Sequence, residues 1–165
     1  MLTLLACLTL SIGEPPPLRV FLRGGPKTHG PGQHEHALFV DEWTKLLSER
    51  GADVEGAPTF PTTEQLDRTD VLMIYAAEGA SIHGLERDRF DAFRARGGGL
   101  VVLHDGVCGD DPEWFASVAG GAWKHGRAKY QEGVVDVHVT NRDHPITRGI
   151  ASWRFEDEIY WDLEI

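Results

Sequence analysis

Residues 97–106 read Gly97-Gly98-Gly99-Leu100-Val101-Val102-Leu103-His104-Asp105-Gly106. Three glycines stop a helix, and four apolar residues follow as a buried strand. The strand closes on an imidazole, a carboxylate and a glycine. The same order recurs upstream. Leu18–Leu22 is a short apolar run after a triproline, followed by a Gly/Pro loop over 23–33. A helix is predicted over Ala37–Arg50, because Phe39, Trp43, Leu46 and Leu47 fall on one face. Ala52–Gly56 reads as a second strand, and Thr62 with Gln65 as a capping box opening a brief helix. Val71–Tyr75 is a continuous apolar run, as expected of a strand buried on both faces. Downstream, Leu85–Arg96 reads as a helix with Phe90 and Phe93 inward. Asp111-Pro112 reads as a cap and first turn leading to about Ala119. Val134–Thr140 alternates like a half-exposed edge strand, and the residues after it carry no regular pattern.

Strands alternating with helices imply right-handed crossovers and an α/β fold whose mostly parallel sheet is covered by helices on both faces. Ligands of such sheets bind beyond the carboxyl ends of the strands. Three loops should meet there: the one holding His29, His34, Glu35 and His36; Ala76-Ala77-Glu78-Gly79; and His104-Asp105-Gly106.

The composition narrows the function. The chain has 165 residues, 41% of them hydrophobic, enough for one domain with a real core. Sixteen Lys and Arg against twenty-six Asp and Glu give a net charge of −10, which argues against nucleic acid and anionic membranes as partners. Two cysteines, Cys7 and Cys108, make neither a disulfide framework nor a thiolate zinc site. Residues 1–17 read as a short export-signal-like segment without a basic start, which would take the chain out of the cytoplasm; a misassigned start or a truncated signal explains the same residues. The domain is then 18–165. No stretch beyond that segment suits a membrane span. The sequence leaves room for a homo-oligomer.

Gln33-His34-Glu35-His36 concentrates metal-ligand residue types, and His34 and His36 at i and i+2 point the same way if the loop is extended. The competing reading is a polar helix start. His104 at the end of an apolar strand sits where a nucleophile elbow would be, but it is neither Ser nor Cys, which disfavours acyl chemistry and suits a metal ligand or general acid/base. The expected metal set is His34, His36 and His104 around a divalent ion such as zinc, with Asp105 fixing an imidazole tautomer. Trp123, Lys124 and His125 suit a sugar face and its hydroxyls, although Trp123 in a turn can equally be core. Asp157-Glu158-Ile159-Tyr160 offers two carboxylates and a phenol, or simply a solvated acidic loop. The loop over 24–32 holds no dinucleotide or P-loop motif, so no nucleotide cofactor is expected. Cys108 reads as a packed thiol.

The ordered set His34-Glu35-His36, Asp70-Val71-Leu72 with Tyr75-Ala76-Ala77, Gly97 to Gly106, Gly120-Gly121-Ala122-Trp123 with His125-Gly126, His144-Pro145-Ile146-Thr147 with Gly149-Ile150, and Asp157-Glu158 with Tyr160 resembles the trehalose-utilisation (ThuA-like) domain. The resemblance spans about residues 18–163. It implies a flavodoxin-like fold of the class I glutamine amidotransferase-like type, with His104 where an amidotransferase carries its cysteine. It also implies disaccharide or glycoside catabolism, through keto-sugars, and a divalent metal as in some members. Domains of this family continue past the D-E-x-Y segment, so the resemblance implies a C-terminally shortened domain. The expected site is catalytic at His104, Asp105, His125 and Glu158, with Trp123, Lys124, Tyr160 and Glu78 on a small-molecule carbohydrate, and Glu35 nearby. Two other roles compete: a non-catalytic carbohydrate-binding or assembly domain, and an amidotransferase-like hydrolase using Cys108.

Overall fold

A computed structural model describes residues 15–165. The export-signal expectation falls mainly on residues 1–14 and lies outside the described residues.

Four parallel strands form the sheet: β1 (Arg19–Arg23), β2 (Asp53–Ala57), β3 (Val71–Ile74) and β4 (Gly99–Val102), in the order β2-β1-β3-β4. Between them run α1 (His36–Ser48), α2 (Thr63–Asp67) and α3 (Gly84–Ala95); α4 (Pro112–Ala119) follows β4. The central strands are apolar on both faces, and their register sorts the side chains into two cores. Val20, Leu22 and Met73 point to the face covered by α1 and pack with Phe39. Phe21, Leu72 and Ile74 point to the opposite face and pack with Leu66 of α2, Phe90 and Phe93 of α3 and Phe115 of α4. Each fully buried phenylalanine is worth roughly 1.5–3 kcal/mol relative to exposure.

Local signals set the element ends. Thr62 and Gln65 close a reciprocal capping box on α2. The Asp111 side chain accepts from the Trp114 amide, with Pro112 in the first turn of α4. Gly120, at φ 85°, ends that helix in the left-handed conformation.

Three expectations need correction. The apolar run Leu100–Leu103 reads as a buried strand, but β4 is the sheet edge and Val101 is 39% exposed, on the face where α1 does not reach it. Leu46, assigned to the inward face of α1, is 37% exposed. The expected Val134–Thr140 strand is instead β5 (Lys129–Val137), and it pairs antiparallel with β6 (Trp153–Trp161), a strand that the sequence pattern did not show. Three successive acids, Glu156-Asp157-Glu158 by their flanking order Glu-Asp-Glu, interrupt the apolar alternation of β6 and hide it. The β5–β6 ribbon is separate from the main sheet in its pairing, and one face of it closes over the ends of β3 and β4.

Candidate functional site

The carboxyl ends of β1, β3 and β4 open into a cleft of about 800 Å³, walled on the far side by the ribbon. All three loops expected to meet do line it, through His34, Glu78 and His104. Each of these residues has left-handed backbone, with φ of 47°, 52° and 49°; among the described residues only Asp162 is another non-glycine with positive φ. Such backbone costs roughly 1–3 kcal/mol per residue and gathers where a site demands it. Beneath the rim, Gly79 and Gly106 let the β3 and β4 loops touch: a Cβ on Gly79 would lie 2.9 Å from the Gly106 Cα.

His104 is the centre of the site. Its Nε2 lies 3.0 Å from His34 Nε2, 3.2 Å from the Tyr160 hydroxyl and 3.4 Å from Glu158 Oε2. Tyr160 donates to Glu158 Oε2 at 2.9 Å, and its ring stacks on the His104 imidazole with centroids 5.0 Å apart. Burial and then the Glu158 hydrogen bond push the Tyr160 phenol far above its ordinary range, so it stays a hydroxyl donor. Burial likewise lowers His34, more than Asp105 raises it, and favours the neutral ring with a lone pair.

Under this centre lies a buried chain. Asp105 Oδ2 is 2.9 Å from His36 Nε2 and 3.0 Å from His34 Nδ1, the latter not aligned as a hydrogen bond. His36 Nδ1 faces the Pro26 carbonyl at 3.1 Å, and that oxygen can only accept. Asp105 Oδ1 and His34 Nδ1 are buried without a hydrogen-bond partner.

The remaining expected residues divide. Trp123 stands against Tyr160 with centroids 5.0 Å apart and donates from its indole to His125 Nδ1 at 3.3 Å; His125 Nε2 is 3.6 Å from Glu78 Oε1. All four line the cleft. Lys124 does not: its amine is held by Glu113 at 2.5 Å and Glu164 at 3.1 Å. Glu35 turns outward to Lys27 and the Gly32 amide. His34, His36 and His104 do not surround one point. The donor atoms that fall together are His34, His36 and Asp105 in one group and His34, His104 and Glu158 in another. His34 belongs to both because its two ring nitrogens face opposite ways, and its turn conformation replaces the extended loop expected of it. Cys108 lines the cleft, but burial pushes its thiol up to about 12, the environment of a packed rather than reactive cysteine.

Tyr75, Tyr130, Glu132 and Glu156 also line the cleft and were not anticipated. Tyr130 and Glu132 sit at i and i+2 on β5, and the register sets them opposite Tyr160 and Glu158. The period of two over 129–137 was the available signal.

A sequence model of the ThuA family, described as trehalose utilisation, matches residues 27–165. The chain belongs to the ThuA family. No curated protein sequence matches it. Among solved structures, a protein described as ThuA-like from Bacteroides uniformis ATCC 8492 is similar, with 20% identity and a TM-score of 0.70. The similarity covers 93% of this chain and 64% of that one, so the ThuA chain described here spans less than two thirds of that protein. It supports the mostly parallel α/β fold. Among the described residues no helix is long and apolar enough to cross a membrane.

Proposed function

We propose that this ThuA-family chain processes a disaccharide or glycoside of the trehalose type, including its keto derivatives, by proton transfer at a sugar hydroxyl or carbonyl. One observation carries the reading. Tyr160, Glu158, His104 and His34 form a single hydrogen-bonding constellation at the floor of a cleft whose wall includes the Trp123 and Tyr130 rings. Aromatic faces suit the apolar face of a pyranose, and the volume lies in the range of small-molecule sites. Neutral His34 takes the proton of the sugar hydroxyl, His104 shares it across the 3.0 Å contact, and Tyr160 turns its one O–H from Glu158 to the reacting oxygen when the sugar binds. Asp105, fixed by His36, faces His34 Nδ1 from beneath at 3.0 Å as a positioning residue.

The donor set His34 Nε2, His104 Nε2 and Glu158 Oε2 also fits a divalent metal. Ligand atoms about 2.1 Å from a tetrahedral ion stand about 3.4 Å apart, and the His34–His104 and His104–Glu158 separations are 3.0 and 3.4 Å. An ion there would polarise a sugar oxygen as a Lewis acid.

Calorimetry with trehalose, sucrose and their 3-keto derivatives, followed by product analysis, tests the reading. Trp123→Ala is expected to weaken binding about tenfold or more, and His104→Ala to lower turnover by about a hundredfold. Absence of binding by any of these sugars refutes the proposal. The exposed outer rim at Glu78 and His125 favours a second reading, a binding domain without catalysis; binding without turnover would decide for it.

A further inference from the structure

Among the described residues, the walls of the cleft carry carboxylates and no lysine or arginine. Glu78, Asp105, Glu132, Glu156, Asp157 and Glu158 line it. Asp105 and Glu158 face imidazoles at the floor, and Glu78 faces His125. Glu132, Glu156 and Asp157 take part in no ion pair among the described residues, and the register sets Glu132 directly opposite Glu158. Like charges opposed across a ribbon are unfavourable by themselves.

The cations near the walls are already engaged: on the ribbon, Lys129 pairs with Asp162 and Arg154 with Asp136. Lys27 pairs with Glu35 and donates to the Gln33 carbonyl. Lys124 is held by Glu113 and Glu164. Arg23 donates to the Gly79 carbonyl. In doubly wound folds the helix after β1 presents its N-terminus to anions. Here that helix starts at His36, with Glu35 at its cap and Asp105 against its first side chain. A divalent ion on His34, His104 and Glu158 would not reverse the sign, because Glu132, Glu156 and Asp157 would remain uncompensated.

We infer that the cleft takes uncharged or amine-bearing sugars and rejects anionic ones such as phosphate esters, with Glu132 and Glu156 on the ribbon setting this charge preference. The inference rests on the carbohydrate reading above and narrows it. Like-charge apposition discriminates against wrong ligands, and its strength falls as salt screens it.

The test is equilibrium binding of trehalose, trehalose 6-phosphate and inorganic phosphate to the full chain, at low and high salt, alongside Glu132→Gln/Glu156→Gln. Trehalose is expected to bind at least tenfold more tightly than its 6-phosphate at low salt, inorganic phosphate not to compete, and the ratio to shrink both in high salt and in the double variant. A phosphate ester that binds as tightly as the neutral sugar overturns the inference and leaves the carbohydrate reading standing. A preference unchanged in the double variant overturns the assignment to these two residues. Failure of both sugars to bind overturns the carbohydrate reading, and this inference with it.

Discussion

Removing Asp105 tests the physical account of the site most directly. The carboxylate is 4% exposed and His36 is fully buried, with 2.9 Å between Asp105 Oδ2 and His36 Nε2. Asp105→Ala leaves His36 Nε2 without its partner in a place water does not reach, and breaking a buried pair from one side costs about 3–5 kcal/mol. A domain has only about 5–15 kcal/mol in total, so the variant should lose a large share of its stability. At 2–4 °C per kcal/mol for a chain of this size, the melting midpoint should fall by about 6–20 °C. His36→Ala should cost a similar amount, with a further contribution from the cavity. The double variant should cost less than the sum by about 2 kcal/mol, because it leaves no lone buried partner. Urea unfolding followed by tryptophan fluorescence, with linear extrapolation, measures all three. A loss below about 1 kcal/mol for Asp105→Ala, or additivity within about 0.5 kcal/mol, would refute the argument that the two residues act as one buried pair.

Asp70 is held down to about 2 by the hydrogen bond from the Arg19 side chain and by the Arg19 amide, below its ordinary 3.8. Its contribution is therefore complete above its unfolded value and is lost as pH falls toward about 2, so Asp70→Asn should flatten the acid limb of a stability–pH curve between those values and change little near neutrality. At the exposed, left-handed position of Glu78, glycine should be more stable than alanine by about 1 kcal/mol, the reverse of the usual order; equal thermal midpoints for the two variants would remove the strain argument. In a Cys7→Ser background, Cys108 should alkylate at pH 8 at least about a hundredfold more slowly than a free thiol, given its thiol near 12; rapid labelling would revive the cysteine-hydrolase reading.

The alternation of short apolar runs with helical faces was legible residue by residue, because the periods of strand and helix and the capping rules act over a few neighbours. Those signals placed β1 to β4, the capping box at Thr62 and the polar loops at the sheet's carboxyl edge, and with them the candidacy of His34, Glu78 and His104. Which atoms meet was not legible. His34 and His104 are 70 residues apart, and their contact depends on three crossovers and on left-handed backbone at both residues. The same long-range placement sends His36 down to Asp105, brings Glu158 up beside His104, and takes Lys124 away to Glu113 and Glu164. The acidic wall of the cleft waited on the pairing of β5 with β6, a register fixed by residues from both ends of a ribbon whose strands look irregular when read singly. Local periodicity is written into neighbouring residues; convergence is a property of the closed chain, and so the chemistry of the cleft belongs to the tertiary structure.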